Sequence, residues 1–296
     1  MQVIFLILIH KNPEQTIQLI ERLESAQSRF VVHVDRRSPD MVHSVIYNWA
    51  AKRTDVICVA RHRCYWGDFG IVAGTLECIR AALKFDDSFD YGLLLSGQDY
   101  PIKPLSSIFD RLRRDAGKQF IESFRLDETE NRWTRQRGHF QATAKYSWYV
   151  ARFRSLRLPI PLRRSLPAGL KPCGGSQWWC LTREALEYIS EYLDKNPKAL
   201  RFLKHVSIPD EVVFQTVLYN SPFQKDIIPD DMHYLDWDRP NPSCPRVFEE
   251  GDLEQLRSSP KLFARKFDIT RGTDIFSLID RELLSHTPQS RPSHAV

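Results

Sequence analysis

Arg265 and Lys266 stand side by side between Phe263 and Phe267, with Leu262 and Ala264 ahead of them, Asp268 behind, and an acidic turn, Glu249-Glu250-Gly251-Asp252, upstream. Two adjacent cations held by flanking aromatic packing can neutralise a leaving group whose negative charge grows in the transition state. A departing diphosphate is such a group, and other enzymes give this work to a metal ion. A solvated Arg-Lys pair on an amphipathic edge is the competing reading of the segment.

A second chemical group lies earlier, where Ser207-Ile208-Pro209-Asp210-Glu211 runs into the apolar stretch Val212 to Leu218. Ser207 and Asp210 have capping-box spacing and Pro209 suits a first turn, so the pattern predicts a helix that begins here with Glu211 near its N-terminus. A carboxylate kept ionised by the helix dipole could take the proton from an attacking hydroxyl. The Asp-Glu pair could equally do no more than complement that dipole.

The elements that must position these groups read as an alternation. Val3 to Ile9 is an apolar run that predicts a buried strand, and Asn12-Pro13 signals a helix through Ser25 with Ile17, Ile20 and Leu23 at helical spacing. Strands are expected over Phe30–Val34, Val56–Val59 and Tyr91–Leu95, helices over 70–84 and 105–114, and a further strand at Phe120-Ile121. Short apolar strands alternating with helices predict an α/β fold with a mostly parallel sheet covered on both faces. Ligands of such sheets bind beyond the carboxyl ends of the strands.

Polar residues gather at those ends. Asp35-Arg36-Arg37 follows the second strand, Arg61, His62, Tyr65 and Trp66 the third, and Ser96-Gly97-Gln98-Asp99-Tyr100-Pro101 the fourth. Asp35 and Asp99 could accept hydrogen bonds from a base, a ribose or sugar hydroxyls, or could cap turns. Neither GxGxxG nor GxxxxGK[ST] occurs, which weighs against dinucleotide oxidoreductases and P-loop ATPases. Farther on, Gly174-Gly175-Ser176-Gln177-Trp178-Trp179-Cys180-Leu181 lets backbone approach a ligand at its glycines and then enters a strand, with Thr182 capping the helix that follows. On that strand Trp178 and Trp179 would face opposite ways, one free to stack on a sugar and the other in the core.

Composition narrows the classes. The chain has 296 residues, 42% hydrophobic and 27% charged, with net charge +5, which suits an anionic ligand or an acidic membrane surface. Basic clusters are as short as Arg163-Arg164, so no nucleic-acid footprint is expected. The cysteines Cys58, Cys64, Cys78, Cys173, Cys180 and Cys244 form no CxxC pair, and Cys58 and Cys78 sit in apolar runs. Buried free thiols in a reducing compartment follow. The N-terminal apolar run lacks a basic leader and a cleavage site and is shorter than a bilayer span of ~20 residues.

Taken together, His33-Val34-Asp35-Arg36, Trp66 before a helix, Leu95 to Lys103, Gly175 to Trp179, Pro209-Asp210-Glu211 and Leu262 to Asp268 resemble, in order, the core-2/I-branching enzymes of glycosyltransferase family 14. That family also holds peptide xylosyltransferases and plant glucuronosyltransferases. The resemblance implies a GT-A fold, Rossmann-like, and an inverting, metal-independent transfer of a sugar from a UDP-sugar to a hydroxyl of a glycan or glycoconjugate acceptor, with no cofactor. N-acetylglucosamine is the sugar first expected; UDP-xylose, UDP-glucuronate and a non-catalytic carbohydrate-binding relative are the alternatives. By the same resemblance Glu211 is the base and Lys266 contacts the donor diphosphate, joined by Arg265 and Arg246. His33, Asp35, Trp66, Ser96, Gln98, Asp99 and Ser176 would line the nucleotide and donor side, and Glu122, Trp133 and Trp178 the acceptor side.

The chain also departs from the family pattern. A further diphosphate-binding arginine of the branching enzymes aligns with Ser243, and Arg246 replaces it only if the loop shifts. Asp236-Trp237-Asp238 has the DxD form that holds Mn2+ or Mg2+ in many GT-A enzymes, but it falls after the Glu211 segment and not at the fourth strand. No metal is therefore expected there. A single catalytic domain is expected over residues 1–284, with a nucleotide-binding half at 1–125, an acceptor and catalytic half at 126–284 and a flexible tail at 285–296. Asp127 to Leu170, rich in arginine and aromatic residues, is expected to form acceptor loops. The first strand begins at the N-terminus with no anchor ahead of it, which resembles a compact bacterial member acting on a cytoplasmic acceptor, with peripheral contact at the inner face of the cell membrane.

Overall fold

β1 (Val3–Ile9) has no polar side chain, and a run of that kind has to be covered on both faces. In the computed structural model, which describes residues 1–137, 144–153, 156–167, 169–237, 244–272 and 274–285, β1 is accordingly an interior strand. It pairs in parallel with β2 (Ser28–Val34) on one side and with β4 (Tyr91–Ser96) on the other, and β3 (Val56–Cys58) extends the sheet beyond β2. Past β4 come Trp179–Thr182, Gln119–Ile121 and Ile227–Ile228, giving a seven-stranded sheet. Trp179–Thr182 runs against both its neighbours, and the other strands share one direction. The mostly parallel α/β arrangement expected from the alternation is the one adopted, and it is consistent with a GT-A-like fold.

The first and third of the helices that join these strands fall where the sequence pattern puts them, whereas the second, Asp40–Ala50, was not among those expected. Pro13–Leu23 links β1 to β2, Asp40–Ala50 links β2 to β3, and Phe69–Phe85 links β3 to β4. Pro13 opens the first helix without the loss of a needed N–H, although Asn12 takes a left-handed conformation (φ 51°) and makes no side-chain cap. That helix ends at Leu23, two residues short of the expected limit. Ile4, Leu6, Val31 and Leu94 pack with Val72, Leu76 and Ile79 of the third helix. Strand alternation sends Val3, Phe5 and Ile7 to the other face, where the Phe5 and Phe30 rings stack at 5.4 Å.

Two compact units result, Met1–Gly97 with Asp115–Met232, and Gln98–Arg114 with His233–Val296. The second is built on a three-stranded sheet with Phe263–Arg265 at its centre, parallel to His233–Leu235 and antiparallel to Asp99–Pro101. An aromatic core holds it together: Phe276 meets Tyr100 edge-on at 5.0 Å, and Phe267 lies 5.5 Å from Phe248. The Tyr100 hydroxyl donates to Asp280 at 2.8 Å.

Two expectations need correction. The stretch taken as acceptor loops contains a helix, Arg132–Arg137, and an antiparallel hairpin of Trp148–Phe153 with Leu156–Arg163. Cys58 is half-buried, because only three residues of its edge strand are paired, whereas Cys78 is buried as expected. Beyond Ser285 the expected tail lies outside the described residues. Among the described residues no helix is long and apolar enough to cross a membrane.

Candidate active site

In the first unit the chain runs β1, β2, β3 to one side and then crosses back to β4, so the carboxyl ends of β1 and β4 flank a topological switch point, where ligands of open α/β sheets bind. The backbone there is tightly knit. Gln15 Nε2 donates to the Gly97 carbonyl at 2.8 Å, and a Cβ on Gly97 would lie 2.4 Å from Thr16 Oγ1, so glycine is needed for the first helix to come this close. Ser96 closes β4 at this rim and is buried.

Asp35 lies just past β2. Its Oδ1 accepts from the backbone N–H groups of Arg37 (2.8 Å) and Cys64 (3.1 Å), and the Arg61 guanidinium donates to the Asp35 carbonyl at 3.1 Å. One oxygen therefore caps the turn and ties it to the loop after β3. The Asp35 Oδ2 makes no such bond among the described residues and can accept from a ligand. Trp66, at 62% exposure, projects from the same loop. Burial pushes the Cys64 thiol up to about 12 and Cys58 to about 11, so neither is a nucleophile near neutrality.

His33 serves the rim from below. It is buried, Nε2 accepts the His62 N–H at 2.9 Å, and a Cβ on Gly74 would meet its ring at 2.8 Å. That bond requires a neutral ring with its proton on Nδ1, and burial together with His62 lowers its pKa to about 4. His33, expected on the donor side, therefore orients the Arg61-His62 segment from a buried position. The unfolded chain protonates this group near 6.5 and the folded chain near 4, so its stabilising effect is complete above pH 6.5 and lost as pH falls through 4, worth about 3 kcal/mol at most. Urea midpoints of the wild type and of His33→Asn, measured from pH 7 to 4, check this. The wild type should show the steeper decline, and equal slopes would contradict the assignment.

Glu211 sits on a 3₁₀ turn, Pro209–Glu211, and the helix Val213–Tyr219 starts only after it. The Ser207 capping box does not form: Ile208 takes φ 53° at the N-cap position with no side-chain cap, and Ser207 instead donates its N–H to Lys145 O at 2.7 Å. Pro209 bars Ile208 from the right-handed helical region, which is why the helix cannot begin where the spacing predicts. The turn is pinned from outside, since Gly175 N–H donates to the Glu211 carbonyl at 3.0 Å. A Cβ on Gly175 would fall 1.8 Å from the Glu122 carbonyl, so no side chain fits. Next to it, Gln215 Nε2 holds the Ser176 carbonyl at 2.6 Å.

Glu122 belongs to the same group. Arg132 Nη1 approaches its carboxylate at 2.8 Å, and Arg132 Nη2 reaches the Gly175 carbonyl at 3.5 Å. Arg132 was legible only as one of several arginines in its segment; its tie to Glu122 depends on chain crossings that no short spacing reveals. The two tryptophans assigned to the acceptor are core residues. Trp133 is 3% exposed, with Lys145 Nζ 3.4 Å from its ring centroid, and Trp178 is 4% exposed, hardly more than Trp179 at 1%. Neither presents a face to a sugar, because the strand begins at Trp179 and both indoles pack into the same core.

The second unit carries the cations. Asp99 is fully buried and accepts from Arg265 Nη1 at 2.7 Å, with His233 Nε2 3.6 Å from its other oxygen. Asp99 is thereby placed as the internal partner of Arg265. Gln98 is also buried, its carbonyl accepting the Phe267 N–H at 2.9 Å. Lys266 is half-buried, and its backbone is bonded on both sides, to the Arg246 carbonyl at 3.3 Å and from the Phe248 N–H at 2.9 Å. Arg246 makes a two-pronged pair with Asp252 (2.7 and 2.8 Å) and a further bond to Asp236 at 3.0 Å, so its charge is already matched. Asp236 is likewise occupied, while Asp238 and Ser243 lie outside the described residues.

A mostly parallel α/β sheet with its polar side chains collected at strand ends is the architecture of GT-A-like glycosyltransferases. The family model of the core-2/I-branching enzymes matches residues 3–258, and the chain belongs to that family of glycosyltransferases. It is similar to xylosyltransferase 2 of Canis lupus familiaris (25% identical over 316 residues, 99% of this chain and 35% of the relative) and of Homo sapiens (25% over 314 residues, 99% and 35%). Xylosyltransferase 1 of Canis lupus familiaris is 24% identical over 310 residues, 98% of this chain and 32% of the relative. The chain thus spans about a third of the length of the curated relatives it matches.

Proposed function

We propose that this chain transfers a sugar from a UDP-sugar to a hydroxyl of a glycan or glycoconjugate acceptor with inversion at the anomeric carbon. Glu211 accepts the proton of the attacking hydroxyl, whose oxygen forms the new bond to the anomeric carbon as the bond to the diphosphate oxygen breaks. UDP leaves with the bonding pair, and Lys266 neutralises the charge it gains. A single displacement converts an α-linked donor into a β-linked product. The observation that carries this reading is a glutamate of a family member on a turn whose backbone N–H and carbonyl are both tied, a placement suited to general-base work.

The roles of the other residues follow from their contacts. Asp35 Oδ2, Ser96 and Trp66 serve the nucleotide, Glu122 with Arg132 the acceptor, and Arg265 adds charge while Asp99 holds it. Arg246 takes no part in the diphosphate site, because its charge is already balanced by Asp236 and Asp252. Basic side chains take the place of a metal, so the reaction needs none.

The relatives' names add weight to xylose as the transferred sugar, beside N-acetylglucosamine. Transfer and donor hydrolysis measured over UDP-xylose, UDP-N-acetylglucosamine and UDP-glucuronate, with and without EDTA, decide among them. Turnover of one donor that survives EDTA is the expected result. Tight binding without turnover of any donor would favour a carbohydrate-binding relative, and full EDTA inhibition reversed by Mn2+ would return the Asp236-Trp237-Asp238 motif to the reaction.

A further inference from the structure

The hairpin of Trp148–Phe153 and Leu156–Arg163 is seated at its base and bare along its second strand. Val150 donates its N–H to the His205 carbonyl at 3.0 Å, and the Tyr149 ring stacks on His205 at 4.5 Å. The Arg164 guanidinium gathers the carbonyls of Trp148, Phe202 and His205. Leu156, Leu158, Ile160 and Leu162, by contrast, are 54, 53, 42 and 62% exposed. Alternate residues of a strand share a face, so Leu156, Leu158 and Ile160 form one aliphatic row, and exposed Leu162 follows in the irregular stretch between Ile160 and Arg163. Single exposed aliphatics are ordinary on a protein surface, whereas a row marks a contact.

Charge and backbone indicate what makes that contact. Between Glu130 and Glu184 the sequence has no Asp or Glu, and Arg163 is exposed at the end of the strand. The helix Pro197–Leu203, which reaches the hairpin base through Phe202, adds exposed Lys198 and Arg201, and exposed Lys204 follows it. Pro159 and Pro161 lack the N–H that a strand from another chain would need, so edge pairing is a poor use of this surface. A soluble polyanion would engage the cations and leave the aliphatic row in water. An anionic bilayer surface satisfies both, with apolar side chains among the acyl chains and cations at the phosphate headgroups.

We propose that the strand Leu156–Arg163 is a membrane-surface contact that inserts Leu156, Leu158, Ile160 and Leu162 into an anionic phospholipid leaflet. The test needs neither donor nor acceptor, so its outcome is separate from that of the transferase reading. The whole chain is sedimented with vesicles of phosphatidylcholine alone or mixed with phosphatidylglycerol. It should bind the mixed vesicles preferentially, lose binding as salt rises, and bind about tenfold more weakly as the Leu158→Ser, Leu162→Ser double variant. Since exposed changes can still disturb folding, Leu158→Trp offers an independent readout: brominated lipid should quench the added emission. Undiminished binding by the double variant, an unquenched Leu158→Trp or no sedimentation would each overturn the proposal. So would a wild-type dimer that the double variant dissociates in analytical ultracentrifugation, which would make the row a protein contact.

Discussion

Glu211→Gln is expected to abolish sugar transfer, by ~10²–10⁴-fold, while leaving UDP affinity nearly unchanged. The substitution keeps the size of the side chain and removes its ability to take a proton. It keeps the backbone bonds of the turn, Gly175 N–H to the Glu211 carbonyl and Glu211 N–H to the Ile208 carbonyl. A loss of transfer in the variant is therefore a loss of chemistry. Product formation under single-turnover conditions, with UDP binding followed by calorimetry, separates the two quantities. Transfer within tenfold of wild type would remove Glu211 as the base, and a parallel collapse of UDP affinity would point to a binding role instead.

Lys266→Ala is expected to weaken UDP by ~1.5–3 kcal/mol, the usual worth of a hydrogen bond to a charged group, and to leave uridine binding almost untouched. The contrast between the two ligands is the informative part, since they differ only in the diphosphate. The backbone bonds of residue 266 to Arg246 and Phe248 survive the change, as do the buried rings of Phe263 and Phe267, so the unit should still fold. Equal losses for UDP and uridine would show that Lys266 shapes the site without contacting phosphate. Arg265 is a less clean probe, because its removal takes a hydrogen bond from the fully buried Asp99 carboxylate and costs stability as well as charge.

The sheet was largely legible in the sequence because its signals are local. Val3–Ile9 has no polar residue and Pro13 marks the helix that follows, so hydrophobic pattern and proline placement sufficed for β1 and the crossover to β2. The candidate site was legible by residue type more than by role. Asp35, Asp99 and Arg246 are polar groups at the expected places, yet what each does depends on partners far along the chain: Cys64 for Asp35, Arg265 for Asp99, and Asp236 for Arg246. Trp133 and Trp178 could be read as sugar platforms because an indole looks the same in a core and on a surface until its neighbours are known. The capping box at Ser207 misled for a different reason, since the steric demand of Pro209 on Ile208 outweighed the cap.

Ile208 returns the argument to Glu211. A β-branched residue at φ 53° carries a local conformational penalty of ~1–2 kcal/mol, and the surrounding structure meets it when the chain folds. With Pro209 on one side and the Gly175 bond on the other, the turn is held in one narrow backbone geometry before any ligand arrives. In the proposed reaction the backbone that carries the Glu211 carboxylate then has little reorganisation left to undergo as the acceptor hydroxyl approaches. If Glu211 is the base proposed above, part of the activation entropy of proton transfer is settled in folding, not in each turnover.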